Sequence, residues 1–483
     1  MTITMPDGLI VVAKADCPTC RLVEPLLTEL AAAGALTVYV QDSAEYAATL
    51  PGTLYDQTLE HSWRLGAEFV PTLIRVENGQ EVARTHGWHK GDWRAISGLG
   101  ETLGKTLDED LPEMRPGCGS KTLEPGIAES LELAFGDVKL QSRQIDISGA
   151  DDPIEACYER GWSDGMPVVP PTPVRVLRML KGTARAPHEV IGLMPPDLVP
   201  CTVEKVAVNA VMAGCKPEYM PVVLAALEAA LDEAFGLHGL ICTTMFGSPM
   251  IMVNGPIARA IGMNSGGNAL GQGNRANATI GRALQLIIRN VGGGRPGEID
   301  RATLGNPGKY SFCFAEAEDS DWLPLAQERG IEPGRSAVTL FPGEGVQGII
   351  DQKSRDPESL VRSIALSLRA VDHAKLAMAG DAVLVVSPEH ARVFSEAGWS
   401  KQRLREELEQ LLLAPGKDLI AGAGGIAEGI PERFRDKQVP KFRPGGLLII
   451  RAGGTAGLFS AIIAGWAASG PIGSSPVTRE VTL

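Results

Sequence analysis

Cys17-Pro18-Thr19-Cys20 places two thiols two residues apart, between an apolar run and a run with helical spacing. A thiol at the start of a helix meets free backbone N–H groups and the positive end of the helix dipole, which favour a thiolate near neutral pH. The second thiol, one turn further on, can close a disulfide. The chemistry predicted is electron transfer through sulfur, with Cys17 as nucleophile, Cys20 as resolving thiol and a redox-active disulfide between them; the sequence assigns no further cofactor. Pro18 suits the first helical position, where no N–H is needed. Asp16 is expected to oppose ionisation of Cys17. The alternative is half a zinc site, which needs a second ligand pair; His86 and His89, three residues apart, are the nearest candidates.

The elements that must position this pair are legible nearby. Residues 8–14 predict a strand, 18–33 a helix and Leu36–Val40 a second strand. A helical stretch near 57–66 precedes the strand Phe69–Val76. Asn78-Gly79 is a strong hairpin signal, with Gln80–Thr85 as the return strand and residues 90–103 as a last helix. The order is βαβ followed by ββα.

Residues 1–104 resemble the thioredoxin fold. The resemblance rests on Cys17-Pro18-Thr19-Cys20, on Val70-Pro71-Thr72 and on the Asn78-Gly79 hairpin. It implies a cis-proline at Pro71, lying against the dithiol, whose backbone aligns extended substrates. Two departures stand out. Asp16 replaces the Trp usual before the first cysteine, and residues 9–13 are apolar throughout, without the family's buried acid.

Residues 105–150 are expected to form a linker and a connecting helix, rich in Gly, Pro and charge between Lys105 and Gly117. Cys118 lies inside this stretch as a candidate additional thiol, able to reach a neighbouring disulfide. From residue 151 to 483 helical and apolar strand-like runs alternate, predicting a large mixed α/β region, with a division near 335 left open. Thr172 is placed to cap a helix over 173–181, and Leu240–Met245 predicts a strand. The expected fold class is therefore α/β, an N-terminal thioredoxin-like fold followed by a large mixed α/β C-terminal region.

Within that region, residues 263–277 concentrate Asn and Gly ahead of a helix over 276–290. Such a loop lets backbone N–H groups approach a ligand, and the helix start favours an anion. Asn264, Asn268, Asn274, Arg275 and Asn277 are the candidate substrate-binding residues. His238 and Asp164 are candidate acid/base groups, and Glu316 with Glu318 a candidate carboxylate pair. Cys201, Cys215, Cys242 and Cys313 have no ligand spacing, and no metal is expected. The strings Gly161–Thr172, Val208–Cys215 and Arg275–Ala283 resemble a little-characterised bacterial family of selenoproteins with a Sec/Cys-Gly-Ser-Cys motif. Cys118-Gly119-Ser120 matches three positions of it, with Lys121 in place of the last cysteine.

The 483 residues are 44% hydrophobic and 21% charged, enough for large cores in two to four domains. A net charge of −13 argues against nucleic acid or an anionic membrane as main partner. Arg451 and several glycines interrupt the apolar stretch 445–470, so no membrane span is expected. The start lacks a basic, then apolar, leader, and a cytoplasmic location is expected. The expectation is a thiol-dependent oxidoreductase in which the Cys-x-x-Cys domain serves a small-molecule-binding catalytic domain. Its partners would be a small-molecule or protein disulfide and a reductant, either a thioredoxin reductase or a low-molecular-weight thiol; the many Gly turns and apolar runs are compatible with a homodimer. The alternative is a non-redox lyase or hydratase working at the Asn/Gly loop, with the thioredoxin-like domain as a docking module.

Overall fold

The computed structural model describes residues 5–105, 111–466 and 473–482. It divides into two compact units, Met1–Lys139 and Leu140–Leu483.

In the first unit, β1 (Gly8–Ala13) is followed by α1 (Pro18–Ala33), β2 (Leu36–Val40), β3 (Thr53–Tyr55) and α2 (Glu60–Arg64). Then come β4 (Phe69–Val70), β5 (Thr72–Glu77), β6 (Gln80–His86), β7 (Trp88–His89) and α3 (Lys90–Ser97). The five-stranded sheet runs β3-β2-β1-β5-β6. β1 and β2 are parallel, as are β2 and β3, whereas β5 is antiparallel to both β1 and β6. This is a thioredoxin-like unit. Central β1 is covered on both faces, so its run Leu9–Ala13 is apolar throughout rather than alternating. Helix α1 buries Thr19, Cys20, Val23, Leu26, Leu27 and Leu30, a stripe at three- and four-residue spacing. Asn78 and Gly79 both take positive φ, 54° and 71°, the two-residue turn that matches strand twist. The helix expected over 90–103 ends at Gly98 in the left-handed region, and only a 3-10 turn, Gly100–Thr102, follows.

The stretch expected to be a linker adds β8 (Met114–Arg115), β9 (Cys118–Gly119) and α4 (Ile127–Phe135) to this unit. β7 pairs with β8, and β4 with β9, both antiparallel. Its Gly and Pro content marks a close-fitting extended chain rather than a free tether. Asp108, Glu109 and Asp110, which contributed to the linker reading, lie outside the described residues.

The second unit is mixed α/β. Its main sheet orders strands 313–315, 248–254, 337–350, 459–465, 382–386 and 447–451, and 477–480 pairs with the first half of 337–350. A register shift between Gly343 and Val346 separates the halves of that long strand. Side chains sort by the two-residue period. Met250, Met252, Phe341, Val383, Val385 and Ile463 form one apolar cluster. Ile251, Val253, Val338 and Leu340 pack instead with the helices Val203–Ala213, Met220–Ala230 and Arg275–Asn290. Leu384 and Ile449 pack with Pro357–Arg369, Pro388–Glu396 and Lys401–Leu411. Leu240–Met245 is not a strand: the helix Leu237–Cys242 starts from Gly236 at φ 61°, and the strand begins only at Ser248. Among the described residues no helix is long and apolar enough to cross a membrane.

Candidate active site

The first unit brings three thiols together. Cys17 is the N-cap of α1, and its Sγ accepts the N–H of Cys20 at 3.4 Å. The Cys20 Sγ accepts the N–H of Lys14 at 3.4 Å, and its carbonyl accepts the Tyr46 hydroxyl at 2.7 Å. Cys118 Sγ lies 2.7 Å from Cys17 Sγ. The Val70–Pro71 peptide is cis, as the resemblance implies, and the Val70 carbonyl oxygen lies 3.5 Å from Cys17 Sγ.

The electrostatics separate the three groups. Cys17 is lowered to about 5, mainly by the Cys20 thiol. Burial opposes this; the Cys118 thiol and the N–H groups of Cys20 and Thr19 add to it. Cys20 is pushed far up by burial and then by its bond to Cys17. Cys118 is raised for the same two reasons, burial first. Ionisation is thus favoured at Cys17 and disfavoured at Cys20 and Cys118, which suits Cys17 as nucleophile and Cys20 as a resolving thiol that ionises once Cys17 is consumed. The Asp16 carboxylate, expected to oppose this, is 67% exposed and paired with Lys14 at 3.4 Å, which weakens its effect on Cys17.

His86 and His89 do not meet the dithiol as a second ligand pair. His86 Nδ1 lies 3.0 Å from Thr72 Oγ1, and His89 Nδ1 caps α3 by accepting the N–H of Asp92. No group of three or more His, Cys, Asp or Glu among the described residues is arranged to hold a metal ion.

In the second unit the Asn/Gly loop does precede a helix, Arg275–Asn290, capped by Asn274 Oδ1. Its side chains, however, bond to backbone. Asn264 Nδ2 donates to Gly267, Asn268 Nδ2 to Gln272, Asn274 Nδ2 to Gly262 and Arg275 Nε to Gly214. Buried Asn277 donates to the carbonyls of Asn264 and Ala269. Asp164 is held by Arg282 in a bidentate pair, both bonds 2.8 Å, which joins the Ser163–Pro167 turn to that helix. His238 is exposed on its short helix. Glu316 and Glu318 converge on one amide: Asn254 Nδ2 donates to both at 2.7 Å. Burial, opposed by the Lys401 charge, holds Glu316 above the usual carboxylate range. The four remaining candidate cysteines are free thiols, and burial pushes Cys201 and Cys215 up to about 12.

Sequence reasoning missed one buried pair. His390, with no exposed surface, lies between Ser460 Oγ at 2.8 Å and the Asp351 carbonyl at 3.0 Å. A carbonyl only accepts, so Nε2–H donates to Asp351, and Nδ1 faces the Ser460 hydroxyl. Ser460 lines a cavity of about 450 Å³ together with Asn268–Gly271 of the loop and Gly453, Gly454 and Gly457. His390 opens a helix and Ser460 sits in a strand 70 residues on, so no local spacing announced them.

In comparison with known proteins, no protein-family model matches this chain and no curated protein matches it. Fold and site therefore define the class by themselves: a thioredoxin-like unit carrying a Cys-x-x-Cys dithiol, joined in sequence to a larger mixed α/β unit.

Proposed function

We propose that this chain is a thiol–disulfide oxidoreductase whose dithiol serves small-molecule chemistry in the second unit. Cys17 attacks an oxidised sulfur, forming a mixed disulfide, and Cys20 then attacks Cys17 Sγ, closing the Cys17–Cys20 disulfide and releasing the reduced product. Pro71 holds the backbone against the nucleophile. A dithiol or low-molecular-weight thiol returns the pair to its reduced form. The observation that carries the reading is the geometry of the dithiol: Cys17 caps α1 and accepts the Cys20 N–H, with the cis Val70–Pro71 peptide against its sulfur. The Asn/Gly loop supplies the small-molecule site in this reading, through the cavity bordered by Asn268–Gly271.

The test is a titration of the full chain against dithiothreitol, with alkylation and peptide mapping. A reversible two-electron couple at Cys17 and Cys20, abolished in Cys17→Ser, is expected. Absence of that couple overturns the reading. A second reading, a non-redox lyase or hydratase at the Asn/Gly loop, is favoured by one observation, the Ser460 hydroxyl held on His390 at that cavity. It requires that the Cys17→Ser, Cys20→Ser double variant keep substrate turnover.

A further inference from the structure

Cys17 and Cys20 are both 0% exposed, so an external disulfide has no direct approach to the nucleophile. Cys118 is half-buried, and of these three cysteines it is the one residue with surface open to solvent. We propose that Cys118 is the substrate-facing thiol of this centre, and that oxidising equivalents reach the dithiol through an intramolecular Cys17–Cys118 disulfide. The proposal rests on the oxidoreductase reading above and assigns it an entry point.

The segment carrying Cys118 is fastened on both sides of the thiol. Upstream, Trp88 pairs with Arg115 and His89 with Met114, the Trp88 Nε1–H donates to the Pro112 carbonyl at 2.6 Å, and Thr19 Oγ1 donates to the Pro116 carbonyl at 2.7 Å. Downstream, Val70 pairs with Cys118 and Phe69 with Gly119, and the Ser120 N–H donates to the Glu68 carbonyl at 3.0 Å. Ser120 Oγ also accepts from buried Gln41 at 2.7 Å. Close approach depends on Gly117: a Cβ there would stand 2.8 Å from the Val70 carbonyl oxygen and 3.3 Å from the Gly87 Cα. The chain thus pairs its own strand with β4, the residues leading into the cis-proline, as a separate two-stranded ladder. It delivers a sulfur to within 2.7 Å of the thiolate.

The steps balance with a disulfide RSSR′ as oxidant. Cys118 attacks it, giving Cys118–S–S–R and R′SH, the second carrying the Cys118 proton. The Cys17 thiolate attacks Cys118 Sγ and expels RS⁻, forming the Cys17–Cys118 disulfide. Cys20 attacks Cys17 Sγ and expels the Cys118 thiolate, and the Cys20 proton completes RSH. One disulfide is reduced by two electrons, and the dithiol becomes the Cys17–Cys20 disulfide.

The test uses the full chain and oxidised glutathione. In Cys20→Ser the last step is blocked, and peptide mapping without reduction is expected to find Cys17 linked to Cys118. In Cys118→Ser the cover remains but the accessible thiol is gone, and oxidation of the dithiol is expected to slow about tenfold or more. Glutathione on Cys17 with Cys118 free in the first variant, or wild-type oxidation rates in the second, overturns the proposal. If wild-type chain forms the Cys17–Cys20 disulfide yet either of these results appears, only the entry point fails. If that disulfide forms under no condition, the oxidoreductase reading fails with it.

Discussion

Removing either thiol donor from Cys17 should raise its pKa, and the size follows from the contacts. Cys17 is held at about 5 by the Cys20 thiol and, after burial's opposing effect, by the Cys118 thiol. A hydrogen bond to a charged group contributes about 1.5–3 kcal/mol, which corresponds to about one to two pKa units. Cys20→Ala should therefore move Cys17 to about 6–7, and Cys118→Ala should move it less, because losing that side chain also relieves part of the burial that opposes ionisation. The assay is thiolate absorbance in the ultraviolet, followed against pH on the reduced chain, with Cys17→Ser as blank. Helix N–H groups alone would hold the thiolate through both substitutions. An unchanged midpoint in both variants therefore refutes the assignment of the two thiols as donors.

Other expectations follow from packing and charge. Gly117→Ala introduces a Cβ against the Val70 carbonyl, so alkylation of Cys17 by iodoacetamide should quicken about tenfold or more as the segment lifts; an unchanged rate would mean the segment does not limit access. Asp164→Asn removes a bidentate partner from Arg282 where both side chains are nearly buried, and should destabilise the second unit by about 3 kcal/mol in a urea titration. Burial, then the Asp372 charge, raises Glu344 from 4.5 to about 7. The folded state binds that proton more tightly, so its contribution is complete below the unfolded value and is lost as pH rises toward 7. The loss is about 3 kcal/mol. Glu344→Gln should flatten that slope in urea midpoints taken across the window.

The sequence disclosed what depends on short spacing. The Cys-x-x-Cys pair, the α1 stripe, the Asn78-Gly79 turn and the proline at 71 are each set by neighbours in the chain, and each stands where expected. Pairings across long separations were not legible. β9 is two residues long and has no period to detect, so Cys118 read as part of a linker although its partner, Cys17, was in plain view. Asp164 was legible as a turn acid, whereas its bidentate partner Arg282 lies 118 residues on and gave no local signal. The asparagines of the loop suggested ligand donors because composition cannot say whether an amide faces a ligand or its own backbone. Leu240–Met245 shows the ambiguity of short apolar runs, which suit a buried helix turn as well as a strand.

The long strand 337–350 carries a consequence for biosynthesis. Its first half is flanked by 248–254 on one side and by 477–480 on the other. On a ribosome, the second partner emerges about 140 residues after the strand begins, an interval on the order of ten seconds at cellular elongation rates. Throughout it, Ala337–Leu340 presents an unpaired apolar edge, the kind that recruits foreign strands. The nascent chain is thus most vulnerable to aggregation late in its synthesis, and slowing translation between those segments should lower its soluble yield.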